Sequence, residues 1–300
     1  MKIVFHFDGT EALRRRLEPL GITLCPESDE DTFGRLLPEM EVLWHVLKPV
    51  TEPVIAHAPK LRLIQKIGIG VNTIDLEAAK RRGIAVCNLP GTNSRAVAEM
   101  ALALMLACLR RLPELNSAVR TEGGWRRSWE LQESFGELGG RTVGLVGYGA
   151  VPKILHPILD AMGAKVLFWS RSRKNSELDD LLARSDVVSL HLPLTPETQG
   201  ILDARKMKRG AILVNTARGG LVQGKSLQDC LESNHLAAAG LDVFGEEPLP
   251  RGHPLLRLSN VVAAPHLAWL TQETLQRSIE GALQNLNKLR AGLPLENRVA

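Results

Sequence analysis

The stretch "VGLVGYGAVPKIL", residues 143 to 155, has the residue types and spacing to hold a phosphate group. A short apolar strand runs into Gly147-Tyr148-Gly149, and a helix follows. Gly147 permits the tight turn, and Gly149 lets a pyrophosphate come close to the backbone. The unpaired N–H groups at a helix start then donate to phosphate oxygens, here from Gly149, Ala150 and Val151. The usual G-x-G-x-x-G spacing ends in Pro152 instead of glycine. Proline is favoured in the first turn of a helix, and the third glycine serves helix–strand packing, so the cradle survives the exchange. Lys153 either adds positive charge nearby or is simply solvated. The residue ending the next strand decides which dinucleotide binds. An acid there would hold the ribose hydroxyls of NAD and repel a 2′-phosphate. The sequence reads Trp169-Ser170-Arg171-Ser172-Arg173-Lys174, a hydroxyl followed by cations, with no carboxylate. Arginine grips phosphate with a planar fork of donors. Ser170, Arg171 and Arg173 therefore point to NADP(H), with NAD(H) the alternative and a merely solvated basic loop the reading without a ligand.

Such a turn needs a strand before it and a second strand after its helix, and "TVGLVG" and "KVLFWS" fill those places. They open a series that continues through "DVVSLHL", "AILVNTA", "AAGLDVF" and "NVVAAPH". An earlier series, "KIVFHF", "VLWHVL", "LRLIQKIG" and "IAVCNL", is separated by helical stretches such as "DLEAAKRRG". Two series of apolar strands joined by helices predict an α/β protein of two doubly wound parallel-sheet domains with a cleft between them. Ligands in such sheets lie outside the carboxyl ends of the strands. Between the series, "SRAVAEMALALMLACLRRLPELNSAVR" begins apolar nearly all round a helix, and such a helix must be covered on every side. It is either a central core helix or one packed partly against another subunit. The following "TEGGWRRSWELQESFGELGG" reads as an extended arm, and exposed Trp125 and Trp129 on it favour a partner surface, hence a homodimer.

Composition removes several function classes. A chain of 300 residues favours two domains. Contents of 44% hydrophobic and 23% charged residues are those of a soluble globular protein. The best apolar run, Met100 to Leu109, is about half the length needed to span a membrane. The N-terminal "MKIVFHFDGT" reaches Asp8 too soon for a signal peptide, so a cytoplasmic protein is expected. Cys25, Cys87, Cys108 and Cys230 show no C-x-x-C spacing and read as reduced, mostly buried thiols, with no metal site. The net charge is +4, in short groups such as Arg14-Arg15-Arg16, Lys80-Arg81-Arg82, Arg110-Arg111 and Arg126-Arg127. With one tyrosine and no aromatic interleaving, these read as solvated helix ends and not as a nucleic-acid surface. A mildly positive surface does suit an anionic substrate and cofactor.

Nearly the whole chain resembles the D-isomer-specific 2-hydroxyacid dehydrogenase family, with glyoxylate and hydroxypyruvate reductase-like features. The motifs that carry the resemblance occur in order: "KIGIGVNTIDLEAAKRRGIAVCNLPGTN", "GLVGYGAVP", "SDVVSLHLPLTPETQGIL", "GAILVNTARGGLV", "AAGLDVFGEEPLP" and "HPLLRLSNVVAAPHLAW". The resemblance implies a discontinuous flavodoxin-like substrate domain at 1–92 and 271–300. It implies a Rossmann cofactor domain at 93–270, including a dimerisation helix and arm at 93–140. Arg218 matches the family's substrate-binding arginine, Glu247 its catalytic glutamate and His266 its catalytic histidine. Asp242 matches an aspartate near the nicotinamide, and His191, Pro193, Thr198, Thr216 and Ala217 fall at cofactor-side positions. The chemistry agrees with these roles. Reduction of a 2-keto acid needs a proton for the developing alkoxide, which a histidine can supply near neutral pH. A carboxylate on the imidazole orients it, and a guanidinium holds the substrate carboxylate and polarises the carbonyl.

On the substrate side, "GIGVN" is similar to the family loop whose backbone N–H groups hold a carboxylate, which makes Ile69, Gly70 and Val71 candidates. Asn72 stands where many members have Asp. Trp44 and Trp269 either wall the pocket or belong to the core, and His45 is either a strand-end histidine or a pocket residue. The stretch from Ser170 to Leu178 is shorter than the family's, lacking a small strand. The expected function is NADPH-preferring reduction of glyoxylate or hydroxypyruvate. The alternatives are an NAD-dependent D-2-hydroxyacid dehydrogenase and a non-catalytic dinucleotide-sensing protein.

Overall fold

The computed structural model describes residues 1–172 and 174–300, with the side chains of 126–128 and 130 outside the description. The chain divides into two compact units, Met1–Asn93 with Thr271–Ala300, and Ser94–Leu270.

The first unit runs β1 (Ile3–His6), α1 (Glu11–Leu17), β2 (Ile22–Cys25), α2 (Glu30–Leu36), β3 (Val42–His45), α3 (Glu52–Ala56), β4 (Leu63–Lys66), α4 (Leu76–Arg81) and β5 (Ala85–Cys87). The strands form one parallel sheet in the order β2-β1-β3-β4-β5. β1, β3 and β4 are buried at every position, which is why their sequences are continuous runs without polar alternation. β2 is the strand that sequence reading passed over. Its four residues, Ile22–Cys25, lie between left-handed Gly21 and Pro26, and half-buried Thr23 interrupts their apolar run. The helix Gln272–Arg290 returns to this unit, where Asn285 donates from Nδ2 to the buried Gln65 Oε1 at 2.8 Å. The last residues pair with the edge at β5, Val299 N–H donating to the Val86 carbonyl at 2.8 Å. This covers an otherwise open row of backbone groups.

The second unit runs α5 (Ser94–Arg110), α6 (Leu112–Ala118), α7 (Gly124–Arg127), β6 (Thr142–Val146), α8 (Ala150–Ala161), β7 (Lys165–Trp169), α9 (Asn175–Arg184), β8 (Val187–Leu190), β9 (Ala211–Asn215), α10 (Gly224–Glu232), β10 (Leu236–Leu241) and β11 (Val261–Ala263). Its six-stranded parallel sheet has the order β11-β10-β9-β8-β6-β7. The order reverses between β6 and β8, the switch point where doubly wound sheets bind ligands. β7 is an edge strand, because the chain goes from it through α9 directly back to β8. The short Ser170–Leu178 stretch thus has a topological consequence: no strand stands beyond β7 among the described residues.

α5 buries Ala98, Ala101, Leu104, Met105 and Cys108 against its own unit, over β9 and β10. Val97, Met100, Leu102 and Leu106 remain half-buried. The chain continues into α6, and the stretch from residue 121 to 140 is not the extended arm that its composition suggests. It folds into α7 and a 3-10 turn at Ser128–Ser134, leaving Trp125 74% and Trp129 69% exposed. All four cysteines are free and buried. Among the described residues, no helix is long and apolar enough to cross a membrane.

Gly144, in the middle of β6, shows how tightly the helices close on this sheet. A Cβ there would stand 2.4 Å from Ser185 Oγ and 2.5 Å from Leu181 Cδ2. Gly144→Val is expected to destabilise the protein by about 1–3 kcal/mol through overpacking. The urea unfolding midpoint should fall while the slope stays unchanged.

Candidate active site

The carboxyl ends of β9, β10 and β11 lie side by side, and a loop leaves each. Asp242, directly after β10, is 0% exposed. Its carbonyl accepts the His266 N–H at 2.7 Å. Its carboxylate oxygens accept the Leu267 and Ala268 N–H groups, each at 2.9 Å. Three successive amides therefore wrap one aspartate. The wrap holds His266 at φ 58°, a left-handed backbone that costs a residue with a side chain on the order of 1 kcal/mol. Burial raises the Asp242 carboxyl above its ordinary pKa, against the pull of the Ala268 and Leu267 amides.

With its backbone set, the His266 ring meets Glu247, Nδ1 lying 2.6 Å from Oε2. The other oxygen of Glu247 accepts the Phe244 N–H at 2.9 Å. Burial pushes the Glu247 carboxyl up. The hydrogen bonds from His266 and Phe244, with the charges of His266 and Arg218, outweigh it and hold the group below its usual range. An ionised carboxylate at Nδ1 favours the tautomer with the proton on that nitrogen.

Arg218 comes from the turn after β9, which Asn215 shapes. Asn215 Oδ1 accepts the Ala217 N–H at 3.0 Å, and Nδ2 donates to the Arg218 carbonyl at 2.9 Å. The Arg218 Nη1 donates to the Ala217 carbonyl at 2.6 Å. Burial lowers the Arg218 pKa, with Glu247 opposing, and the guanidinium stays charged. At the next residue, Gly219, a Cβ would stand 1.9 Å from the Phe244 carbonyl carbon and 2.0 Å from its oxygen. The arginine turn and the glutamate loop therefore touch backbone to backbone, and only glycine fits between them. The result is a cation beside a carboxylate-held imidazole, able to bind an anion and move a proton.

The phosphate turn follows β6 in the same unit. Gly147 has φ 100° and donates its N–H to the Trp169 carbonyl at 2.8 Å. A Cβ on Gly147 would lie 2.5 Å from the His191 carbonyl oxygen, so the turn excludes any side chain. A Cβ on Gly149 would meet nothing within 4 Å, and Gly149 and Ala150 are exposed. Pro152 is the third residue of α8 and is buried, a first-turn position that needs no N–H. The first-turn amides of α8, at Ala150 and Val151, have no acceptor within the helix. At the ends of β8 and β9, His191 Nε2 and Thr216 Oγ1 are buried without a partner among the described residues. Burial keeps the His191 ring neutral, its pKa pushed down to about 3. Open space over Gly149, free helix-start amides and two unspent polar atoms fit a dinucleotide.

A family model described as "D-isomer specific 2-hydroxyacid dehydrogenase, NAD binding domain" matches residues 102–268. The chain belongs to this dehydrogenase family. The glyoxylate reductase of Korarchaeum cryptofilum is 39% identical over 258 residues, 81% of this chain and 77% of that protein. The hydroxypyruvate reductase of Blautia hydrogenotrophica is 33% identical over 283 residues, 89% of this chain and 87% of that protein. The crystal structure of the TT0316 protein from Thermus thermophilus superposes with a TM-score of 0.87 at 35% identity, covering 100% of both chains.

Within this dehydrogenase, not every residue expected at the site stands free to meet a ligand. Thr198 is buried and spends its hydroxyl internally, donating to the Pro193 carbonyl at 2.7 Å and accepting the Thr195 N–H at 2.8 Å. It locks the turn that presents exposed Pro193. Ala217 spends its N–H on Asn215. Ser170 shares a 2.9 Å hydrogen bond with Ser172, and Arg171 is exposed. Arg173 lies outside the described residues.

In the first unit, Trp44 is a core residue and not a pocket wall. It is 0% exposed and edge-on to Phe5 with ring centroids 5.7 Å apart. Trp269, in the second unit, is buried as well. His45 is buried with Nε2 2.9 Å from Thr73 Oγ1, and burial plus the Lys66 charge keep it neutral. The loop candidates behave differently. The Gly68 carbonyl accepts the Leu89 N–H at 2.8 Å, and the Ile69 carbonyl accepts Asn88 Nδ2 at 2.9 Å. In a trans peptide the amide points opposite to the carbonyl, so the N–H groups of Ile69 and Gly70 face away from those donors. Ile69 itself is 41% exposed. Val71 closes the loop by accepting the Ile74 N–H at 3.0 Å.

Asn215 and Gly219 were missed as site residues, although both lie inside "NTARGG". An asparagine ahead of a turn was a readable signal. Gly219→Ala drives a methyl group into backbone that has nowhere to retreat. Turnover of a 2-keto acid is expected to fall about 100-fold, since displacement of the reacting groups by an ångström costs that much. Dinucleotide binding, titrated by nicotinamide fluorescence, should stay near wild type.

Proposed function

We propose that this dehydrogenase reduces a small 2-keto acid, glyoxylate or hydroxypyruvate, to the 2-hydroxy acid, with NADPH as the preferred reductant. The observation that carries the reading is the His266–Glu247 pair at 2.6 Å, joined through the Gly219 contact to Arg218. A bound nicotinamide supplies hydride to the carbonyl carbon. His266 delivers a proton from Nε2 to the oxygen as it becomes an alkoxide. Glu247 stabilises the imidazolium and fixes its orientation. Arg218 holds the substrate carboxylate and polarises the carbonyl. Ile69, Gly70 and Val71 are the further candidates for the carboxylate. Gly149, Ala150 and Val151 donate to the pyrophosphate, with His191, Pro193, Thr216 and Ala217 on the nicotinamide side.

The preference for NADPH rests on the end of β7. Ser170 and exposed Arg171 follow it, with no carboxylate to repel a 2′-phosphate. The exposed Trp125 and Trp129, with exposed Leu112 and Val119 nearby in the chain, support a homodimer as part of the same reading.

Two measurements test it. Steady-state kinetics with glyoxylate, hydroxypyruvate, pyruvate and bulkier 2-keto acids, each with NADH and NADPH, should give the highest kcat/KM for a small acid with NADPH. Equal kcat/KM for the two cofactors would refute the NADPH preference. His266→Gln should lower kcat by about 10²–10⁴-fold, the usual worth of a positioned proton donor. NADPH binding should be unaffected, and wild-type turnover in this variant would sink the proton-donor role.

A further inference from the structure

Tyr148, the residue between the two glycines of the phosphate turn, is held in a chain of contacts that phosphate binding itself does not require. Its ring stacks on Phe168, centroids 4.1 Å apart at 25°. Its hydroxyl lies 2.6 Å from His156 Nδ1, and the two rings meet edge-on at 5.7 Å and 79°. The His156 Nε2 lies 3.3 Å from Asp160 Oδ2, one helical turn further along α8. With the ring proton on Nε2, on the side of the Asp160 carboxylate, Nδ1 accepts the tyrosine O–H.

Phe168 is the last residue but one of β7, two positions before Ser170. The backbone makes the same link, Gly147 N–H donating to the Trp169 carbonyl at 2.8 Å. β7 is the sheet edge, so among the described residues no neighbouring strand holds the loop it feeds. Its other fastening is the Trp169 indole, which donates to the Lys174 carbonyl at 3.0 Å. The Tyr148 ring therefore joins two parts of the proposed cofactor site, the pyrophosphate turn and the residues after β7.

We propose that Tyr148, braced by His156 and Asp160, is a positioning residue that sets the phosphate turn against the Ser170–Arg171 end of the site. It stiffens the dinucleotide site at the sheet edge formed by β7. The inference rests on the reading that the turn binds NADP(H) or NAD(H).

The test is titration of the full chain with NADPH and NADH by nicotinamide fluorescence. Wild type is compared with Tyr148→Phe, His156→Leu, His156→Gln and the double variant Tyr148→Phe/His156→Leu. Tyr148→Phe keeps the ring stack and removes only the hydroxyl. Losing that bond should raise Kd for NADPH about three- to tenfold in each of Tyr148→Phe and His156→Leu. Because the two residues share one interaction, the double variant should be little worse than either single one. Glutamine can still accept the tyrosine O–H, so His156→Gln should recover most of the affinity. The Kd should rise far more than kcat falls at saturating cofactor. Unchanged Kd in the single variants, or fully additive losses in the double variant, would overturn the inference. Wild-type protein that bound neither dinucleotide would overturn the functional proposal itself and the inference with it.

Discussion

At Gly219 the turn after β9 meets the Phe244–Gly245 backbone with no room for a methyl group, its would-be Cβ lying 1.9 Å from the Phe244 carbonyl carbon. The contact joins the segments that carry Arg218 and Glu247. Phe244 is also the residue whose N–H binds Glu247, at 2.9 Å. A shift of that backbone would therefore reach the carboxylate through one hydrogen bond and the imidazole through a second, the 2.6 Å contact to His266. Side-chain geometry at this site is thus inherited from main chain, which is stiffer than any rotamer.

The same arrangement answers an energetic problem. Arg218, Glu247, His266 and Asp242 crowd polar and ionic groups at one end of a sheet whose interior is apolar. Taking a charge out of water costs several kcal/mol unless hydrogen bonds and opposite charges offset it. Asp242 is offset by two amides on its carboxylate, and those amides belong to the loop that must hold His266. Glu247 is offset by an amide, a histidine and the Arg218 charge. Each stabilising bond is also an orienting one. That coincidence lets His266 keep its left-handed backbone: the strain is opposed by three amide bonds to one residue.

The architecture was legible because it depends on periodicity and chain order. Every strand except β2 corresponds to an apolar run in the sequence, and parallel strands buried on both faces leave that signature. β2 reads Ile-Thr-Leu-Cys, and half-buried Thr23 breaks the continuous apolar run that the other strands carry. The turn at Gly147 was legible for the same reason, as a local pattern with a strand on each side. What depends on distant partners was not. Nothing in "VLWHVL" tells whether an indole faces a ligand or a neighbouring strand, and Phe5 decides it for Trp44. Thr198 sits in a motif but spends its hydroxyl on its own turn. Gly219 looks like any glycine after an arginine until Phe244 is brought against it. The tryptophans of the arm were read as exposed, and they are. Its helical turns were hidden by glycines and by residues of weak propensity.

The edge position of β7 bears on how a cofactor preference can be built. In a doubly wound sheet with a further strand, the adenosine end of the site is framed by regular hydrogen-bonded backbone. Among the described residues after Trp169 there is no such frame, and under the proposed reading recognition falls to a short polar loop. A flexible loop would lose much of its binding free energy to ordering itself around the ligand. The observed fastenings reduce that loss at each end. Trp169 closes the loop through its indole on Lys174, and its carbonyl ties the loop's base to Gly147. The Tyr148–Phe168 stack then adds apolar contact across the junction. Side-chain contacts from a strand end, a turn and a helix face thus hold the sheet edge at β7, where no ladder continues among the described residues.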